Sequence, residues 1–261
     1  MSEQSLASKS AGDPGLLTTL REQLRLLQLT VRCCLEGGLE RGAVLRQMYE
    51  IGNRSLVFLC IVMGFIGMIL SYQAGLQIQR VVPDMSQLGA TFLELIIRDL
   101  AASICALMLA TRVGAGIAAE IGSMVVTEQV DALHMCGADP IKHLVCPRFL
   151  ACLAMFALLV VVAACVSVLT GMWTASAFFD LNPRTFLNLN LVGAADVIVG
   201  LAKCFAYAAA IPIISAHAGL AAFGGSEGVG NATTRAVVGS SLAVIVLNFF
   251  LSGLGHVLLG P

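Results

Sequence analysis

Charge is scarce in this sequence. Only 12% of its residues are charged, and residues 55–79, 149–179 and 236–259 hold no Asp, Glu, Lys or Arg. Each of these runs exceeds the roughly 20 residues that a helix needs to cross hydrocarbon. The chain is 58% hydrophobic with a mean hydropathy of +0.89. Ordinary soluble domains stay near 45–50% apolar, so one aqueous core cannot hide this much surface. No ten-residue alternation of apolar and polar residues is present either, which excludes a membrane barrel and leaves helices. Two further runs are long but interrupted: 92–119 contains Glu94, Arg98, Asp99 and Arg112, and 189–222 contains Asp196 and Lys203. The expected fold is therefore all-α and integral to a membrane, with five transmembrane helices near 55–79, 92–119, 149–179, 189–222 and 236–259.

Other absences narrow the function. Lys9, Lys142 and Lys203 do not follow a glycine, so no G-x-x-x-x-G-K-[ST] loop can cradle phosphates and any nucleotide must be bound by another chain. The nine cysteines form no C-x-x-C pair, and Cys60, Cys105, Cys152, Cys165 and Cys204 lie singly in apolar runs, where free cysteine acts as a small hydrophobe. Neither a disulfide framework nor a metal site is expected. The first residues, MSEQSLASKSAGDPG, lack an apolar segment behind a basic one, so no cleaved signal peptide is expected and residues 1–15 are expected to be disordered. No nucleic-acid partner is expected.

Lys and Arg favour the cytoplasmic side of short loops. Residues 1–55 carry seven of the 15: Lys9, Arg21, Arg25, Arg32, Arg41, Arg46 and Arg54. This places the amino end in the cytoplasm and, after five crossings, the carboxyl end outside. The 120–148 and 223–235 loops then also lie inside with Lys142, Arg148 and Arg235, while the outer loops hold Arg80 and Arg184. Within residues 16–54, Leu20, Leu24, Leu27, Val31 and Cys34 recur at helical spacing and Arg21, Arg25 and Arg32 lie off that stripe, as in a helix lying in the membrane interface. Gly37 and Gly38 are expected to break it before a second short helix ending near Glu50.

The stretch 127–148, TEQVDALHMCGADPIKHLVCPR, gathers Glu128, Asp131, Asp139, Lys142 and Arg148. Val126, Val130 and Leu133 recur at spacings of four and three, with Glu128 and Asp131 on the other side, which predicts a short amphipathic helix over about 124–137. Gly137 and the Ala-Asp-Pro of 138–140 would end it. Two spans flank it, so it is expected to be held rigidly beneath the membrane. Two motifs in this region mislead. Gly114–Ala119 fits G-x-G-x-x-A without the strand a dinucleotide site requires, and close helix packing explains its glycines better. His134 and Asp139 match an H-x-x-x-x-D spacing in which a carboxylate orients a histidine base, the alternative reading as a membrane acyltransferase. An ion-coupled secondary transporter using Asp99, Asp196 and Lys203 is a further alternative, for which the sequence offers no inverted repeat.

Several blocks resemble one family. LRQMYEIG (45–52), GFIGMIL (64–70), RVGAGIAAEIGSMVVTEQVDAL (112–133), GADPIKHLVCPRFLA (137–151) and EGVGNATTRAVVGSSLAV (227–244) are similar to the MlaE (YrbE) permeases of lipid-transporting ABC systems. The resemblance implies a permease domain over 55–261 that is not itself an enzyme, in the inner (cytoplasmic) membrane, paired with a second copy of itself. It implies an ABC ATPase that binds ATP and Mg, so that this chain needs no cofactor. It also implies an MCE-domain partner on the outer side, a small STAS-type accessory protein, phospholipid as cargo and a part in outer membrane lipid asymmetry. In that family the helix between the second and third spans is a coupling helix seated in the ATPase. Carried over, Glu120, Thr127, Glu128, Gln129 and Asp131 lie at or near that contact, and Asp139 and Pro140 shape its exit.

The same resemblance places the lipid path between the two subunits. Leu70, Tyr72, Gln73 and Ile78 at the outer end of the first span are candidate lining residues. Arg98 and Asp99 join them, because charge inside hydrocarbon is expensive and marks function. Where the family reads Arg-Glu-Leu-Gly-Pro this chain has RDLAA, with a shorter acid and with Ala101 and Ala102 in place of the Gly-Pro kink. A straighter helix is expected there, and the role of Asp99 stays open. Asp196 and Lys203, seven residues apart on one face, could pair through a neighbour or snorkel, and snorkelling is the expectation for Asp196. Pro212 should kink the fourth span.

Overall fold

The computed structural model describes residues 16–36, 41–81, 87–187 and 192–259. Every regular element among them is helical: α1 Leu16–Glu36, α2 Arg41–Val81, α3 Gln87–Leu95, α4 Ala101–Leu109, α5 Ala115–Val126, α6 Gln129–Met135, α7 Cys146–Phe179, α8 Pro183–Phe186, α9 Ala194–Leu220 and α10 Ser226–Leu259. Three π-helical segments, Ile96–Leu100, Ala110–Gly114 and Ile141–Val145, join α3 to α4, α4 to α5, and the turn after α6 to α7. Four stretches are long and apolar enough to cross a membrane: Gly42–Arg80, Ile141–Phe179, Ala194–Leu220 and Ser226–Val257. The run 87–126 is helical throughout but is divided by two π segments and marked by charge. It does not rank with those four.

Two differences from the expected elements are informative. The separate short helix ending near Glu50 does not exist, because α2 continues unbroken from Arg41 to Val81. No proline or glycine pair interrupts it, so the polar first turns and the apolar span share one hydrogen-bond ladder. At RDLAA the expected regular passage is also replaced: Ala101 and Ala102 are helical, but Ile96–Leu100 just before them is π-helix. π-Bulges are a recognised cause of bending and often sit at functional positions.

The described chain falls into two compact units, one of residues up to Gln47 with Ala110–Cys152 and Ala209–Ser240, the other of Met48–Leu109, Leu153–Ala208 and the residues from Ser241 on. In the first, α1 buries Leu26 and Thr30, accepts a hydrogen bond from the Cys146 thiol on the Thr30 carbonyl, and pairs Glu22 with His217 at 3.2 Å. Its opposite side leaves Leu17, Leu20, Leu24, Val31 and Leu35 exposed. One face is thus tied to the protein and another is free for an apolar surface. Within the second unit α2 lies against α7 through small residues. A Cβ on Gly67 would run into the Ser167 carbonyl, and Ser71 donates to the Gly171 carbonyl at 2.9 Å. Such close approach by small residues is how helices associate where no hydrophobic force separates lipid from protein.

Candidate functional site

The most unusual chemistry lies in the second unit, on helices otherwise made of aliphatic residues. Gly200 of α9 faces the Ile97 carbonyl so closely that any Cβ would collide with it, which brings α9 onto the π segment. That approach sets four charges in two pairs. Arg98 meets Asp196 at 3.3 Å and Asp99 meets Lys203 at 2.6 Å. Consecutive residues on one helix are matched by residues seven apart on the other, where i and i+7 share a face. Arg98 also lies 4.0 Å from Glu94, one turn earlier.

From Lys203 the network continues to α10. Its ammonium donates to Ser252 Oγ at 2.7 Å, Ser252 donates to Asn248 Oδ1 at 3.4 Å, and the Tyr207 hydroxyl donates to the same oxygen at 3.1 Å. Ser103 donates to Asp99 Oδ1 at 3.2 Å. The Lys203 side chain is 1% exposed and that of Asp99 35%. The cation is therefore sealed, and the carboxylate is the group that reaches the surface of the unit. Burying an ammonium is costly unless it is paired and hydrogen-bonded, and here the Asp99 carboxylate and the Ser252 hydroxyl both bind it. Asp196 does not snorkel. It is buried, caps α9 by accepting from the Gly193 N–H at 2.9 Å, and takes Arg98 with its other oxygen.

In the first unit, α5 ends at Val126 and the chain turns through Thr127 and Glu128 into α6. Glu128 has φ 60°, a left-handed conformation that is costly for a residue with a Cβ and makes the corner sharp. Val130 and Leu133 are half-buried and Glu128 and Asp131 exposed, as expected, and Thr127 and Gln129 are exposed with them. The single helix expected over about 124–137 is instead broken at this corner, so that Val126 belongs to α5 and α6 covers Gln129–Met135 alone. α6 is only seven residues long and contains no buried residue. Met135 adds an apolar tip, 89% exposed. Asp139 accepts the Ile141 N–H at 3.0 Å and Pro140 is buried, which starts the π segment leading into α7. Among the described residues no hydrogen bond joins His134 to Asp139, so the geometry of a histidine base oriented by that carboxylate is absent. Glu120 is drawn away from α6: its carboxylate binds Arg148 at 2.8 Å.

The Permease MlaE family profile matches residues 44–254. The chain belongs to the MlaE permease family. A probable ABC transporter permease protein of Synechocystis sp. is 39% identical over 222 residues, 84% of each chain. One from Rickettsia prowazekii is 37% identical over 213 residues, 81% of this chain and 82% of its own. The chloroplastic protein TRIGALACTOSYLDIACYLGLYCEROL 1 of Arabidopsis thaliana is 32% identical over 225 residues, 84% of this chain and 63% of its own.

The permease thus brings together Arg98 and Asp99, as candidates, with Asp196 and Lys203. Leu70, Tyr72, Gln73 and Ile78 stay apart from that network: no hydrogen bond or ion pair among the described residues joins them to it. Tyr72 instead meets Phe178 edge-on at 5.3 Å and Phe179 at 6.1 Å. Sequence reasoning missed Ser252, Asn248 and Tyr207, whose only signal was a polar atom in an apolar run. It also missed the bond from Glu120 to Arg148.

Proposed function

We propose that this permease moves phospholipid or a related lipid between the inner membrane and an MCE-domain protein on the outer side, driven by a separate ABC ATPase docked on α6, and works as a pair of identical subunits. The 87–126 run is the fifth crossing in this reading, with α1 in the interface, the amino end cytoplasmic and the carboxyl end outside. The observation that carries it is the charge network inside apolar helices, with Asp99 at its open edge. A phospholipid offers a charged head group on apolar tails, and a path for it requires polar anchorage in an apolar wall. Tyr72, Gln73, Leu70 and Ile78 would line the outer part of that path. A chloroplastic relative that bears the name of a galactosylated diacylglycerol supports a lipid cargo.

The exposed acidic edge of α6 supports the docking assignment. Glu128, Asp131, Thr127 and Gln129 form the contact, Asp139 and Pro140 fix its exit, and ATP and Mg stay in the partner. The purified complex in liposomes should move labelled phospholipid only with ATP, and ATP-independent movement or none would overturn the reading. Replacing Glu128 and Asp131 together with Lys should cut ATPase co-purification severalfold while the permease still inserts. Undiminished recovery of the ATPase would remove α6 as its seat.

A further inference from the structure

Glu120 stands in the middle of α5 and Arg148 at the start of α7, 28 positions apart, and their side chains meet at 2.8 Å. Everything between them is therefore a loop closed at its neck by one ion pair. That loop contains the last six residues of α5, α6 with its flanking turns and the Ile141–Val145 π segment.

The Arg148 side chain is only 7% exposed. Its Nη1 donates to the Leu144 carbonyl at 3.1 Å, inside the π segment, and its Nε has no hydrogen-bond partner. Glu120 is the carboxylate within ion-pair distance of it among the described residues. A guanidinium so placed has one carboxylate to balance it, and its planar fork fixes direction in a way a lysine cannot.

Within that loop the π segment packs on α1 and buries Val145, and α6 is the part with little else to hold it. α6 buries no residue and hangs from the corner at Glu128, the Ala138 N–H bond to the Leu133 carbonyl, and the cap at Asp139. A lever attached so lightly transmits force only if its base cannot splay.

We infer that Glu120 and Arg148 are positioning residues: their ion pair is a brace that keeps α6 at a fixed angle to α5 and α7, so that motion applied to α6 reaches the spanning helices. This rests on the ATPase-driven reading above, and it takes Glu120 out of the ATPase contact and puts it behind that contact.

The test uses the full permease with its ATPase in lipid nanodiscs and liposomes. E120Q is the direct variant. Because it strands a buried cation, E120Q/R148M accompanies it, removing both charges and leaving none uncompensated. In both, hydrogen exchange of the amides of 127–140 should rise about tenfold, as in local opening without global unfolding. Exchange in α7 and α9 should not change. ATPase recovery should match the wild type, and phospholipid moved per ATP hydrolysed should fall severalfold.

Wild-type exchange together with wild-type lipid per ATP in the double variant would overturn the brace. So would loss of ATPase recovery, which would return Glu120 to the contact, or faster exchange throughout the helices, which would make the pair a general support of the fold. A wild type that moves no phospholipid while the local exchange difference persists would sink the transport reading and leave the brace standing.

Discussion

At the scale of single residues, Lys203 shows how far a charge can be read from sequence. Its position in an apolar run made it conspicuous, because a cation there is expensive whatever its partner. Its partner was not readable, since Asp99 lies 104 positions away and only the fold brings the two within 2.6 Å. Asp196 shows the opposite limit. Near the end of a run it suited snorkelling, but the Gly193 N–H and the Arg98 guanidinium both lie within its reach and hold it inside. The pair at Lys203 makes an asymmetric prediction. D99N leaves the sealed Lys203 ammonium without its carboxylate and should destabilise the protein by about 3–5 kcal/mol, K203M leaves the half-exposed Asp99 carboxylate and should cost less, and D99N/K203M should recover much of the D99N loss. Thermal unfolding in detergent, read as a double-mutant cycle, measures the difference. A loss in the double variant equal to the sum of the two single losses would show that the two charges do not interact.

At the scale of elements, the uncharged runs and the charged run 189–222 were legible, and the charged run 92–119 was legible only in part. Residues 149–179 correspond closely to α7, Cys146–Phe179, because uninterrupted apolar sequence leaves a helix no competing structure in lipid. The 236–259 run begins ten residues late, since α10 starts at Ser226 and its polar first turns carry no hydropathic signal. The π segment at Ile96–Leu100 was not legible at all: its five residues have no composition that distinguishes them from α-helix. Its explanation lies on α9, where Gly200 admits the Ile97 carbonyl. G200A should therefore force the two helices apart, costing about 1–3 kcal/mol as overpacking does. It should also loosen both ion pairs. A lower unfolding temperature with reduced lipid movement is the expected result, and an unchanged protein would mean that the approach is not needed.

At the scale of the whole molecule, the cysteines give a direct reading of which side faces the ATPase. Cys136 is exposed at the end of α6, and an impermeant maleimide should modify it from the cytoplasmic side alone. Cys34 in α1 is a control in the same unit: burial raises its thiol above the ordinary range, an effect that a hydrogen bond with Cys146 opposes and the Cys33 charge reinforces. Less of it is thiolate at neutral pH, so it should react more slowly than Cys136, and the gap should narrow as pH rises through the raised value. Labelling of Cys136 from the outer side would reverse the assigned topology. The family was legible from the blocks between residues 45 and 244, while the joining of crossings by ion pairs was not, because pairing is a property of the packed chain.

The uninterrupted length of α2 has a mechanical corollary. At about 1.5 Å per residue, its 41 residues make a rod of about 60 Å, twice the roughly 30 Å of a hydrocarbon layer. With no proline inside it, there is no joint to absorb a tilt. A nudge at Glu50 must swing Tyr72, about six turns along, in the opposite sense about whatever pivot the bilayer supplies. Both mouths of any passage beside this rod would then open and close in counterphase.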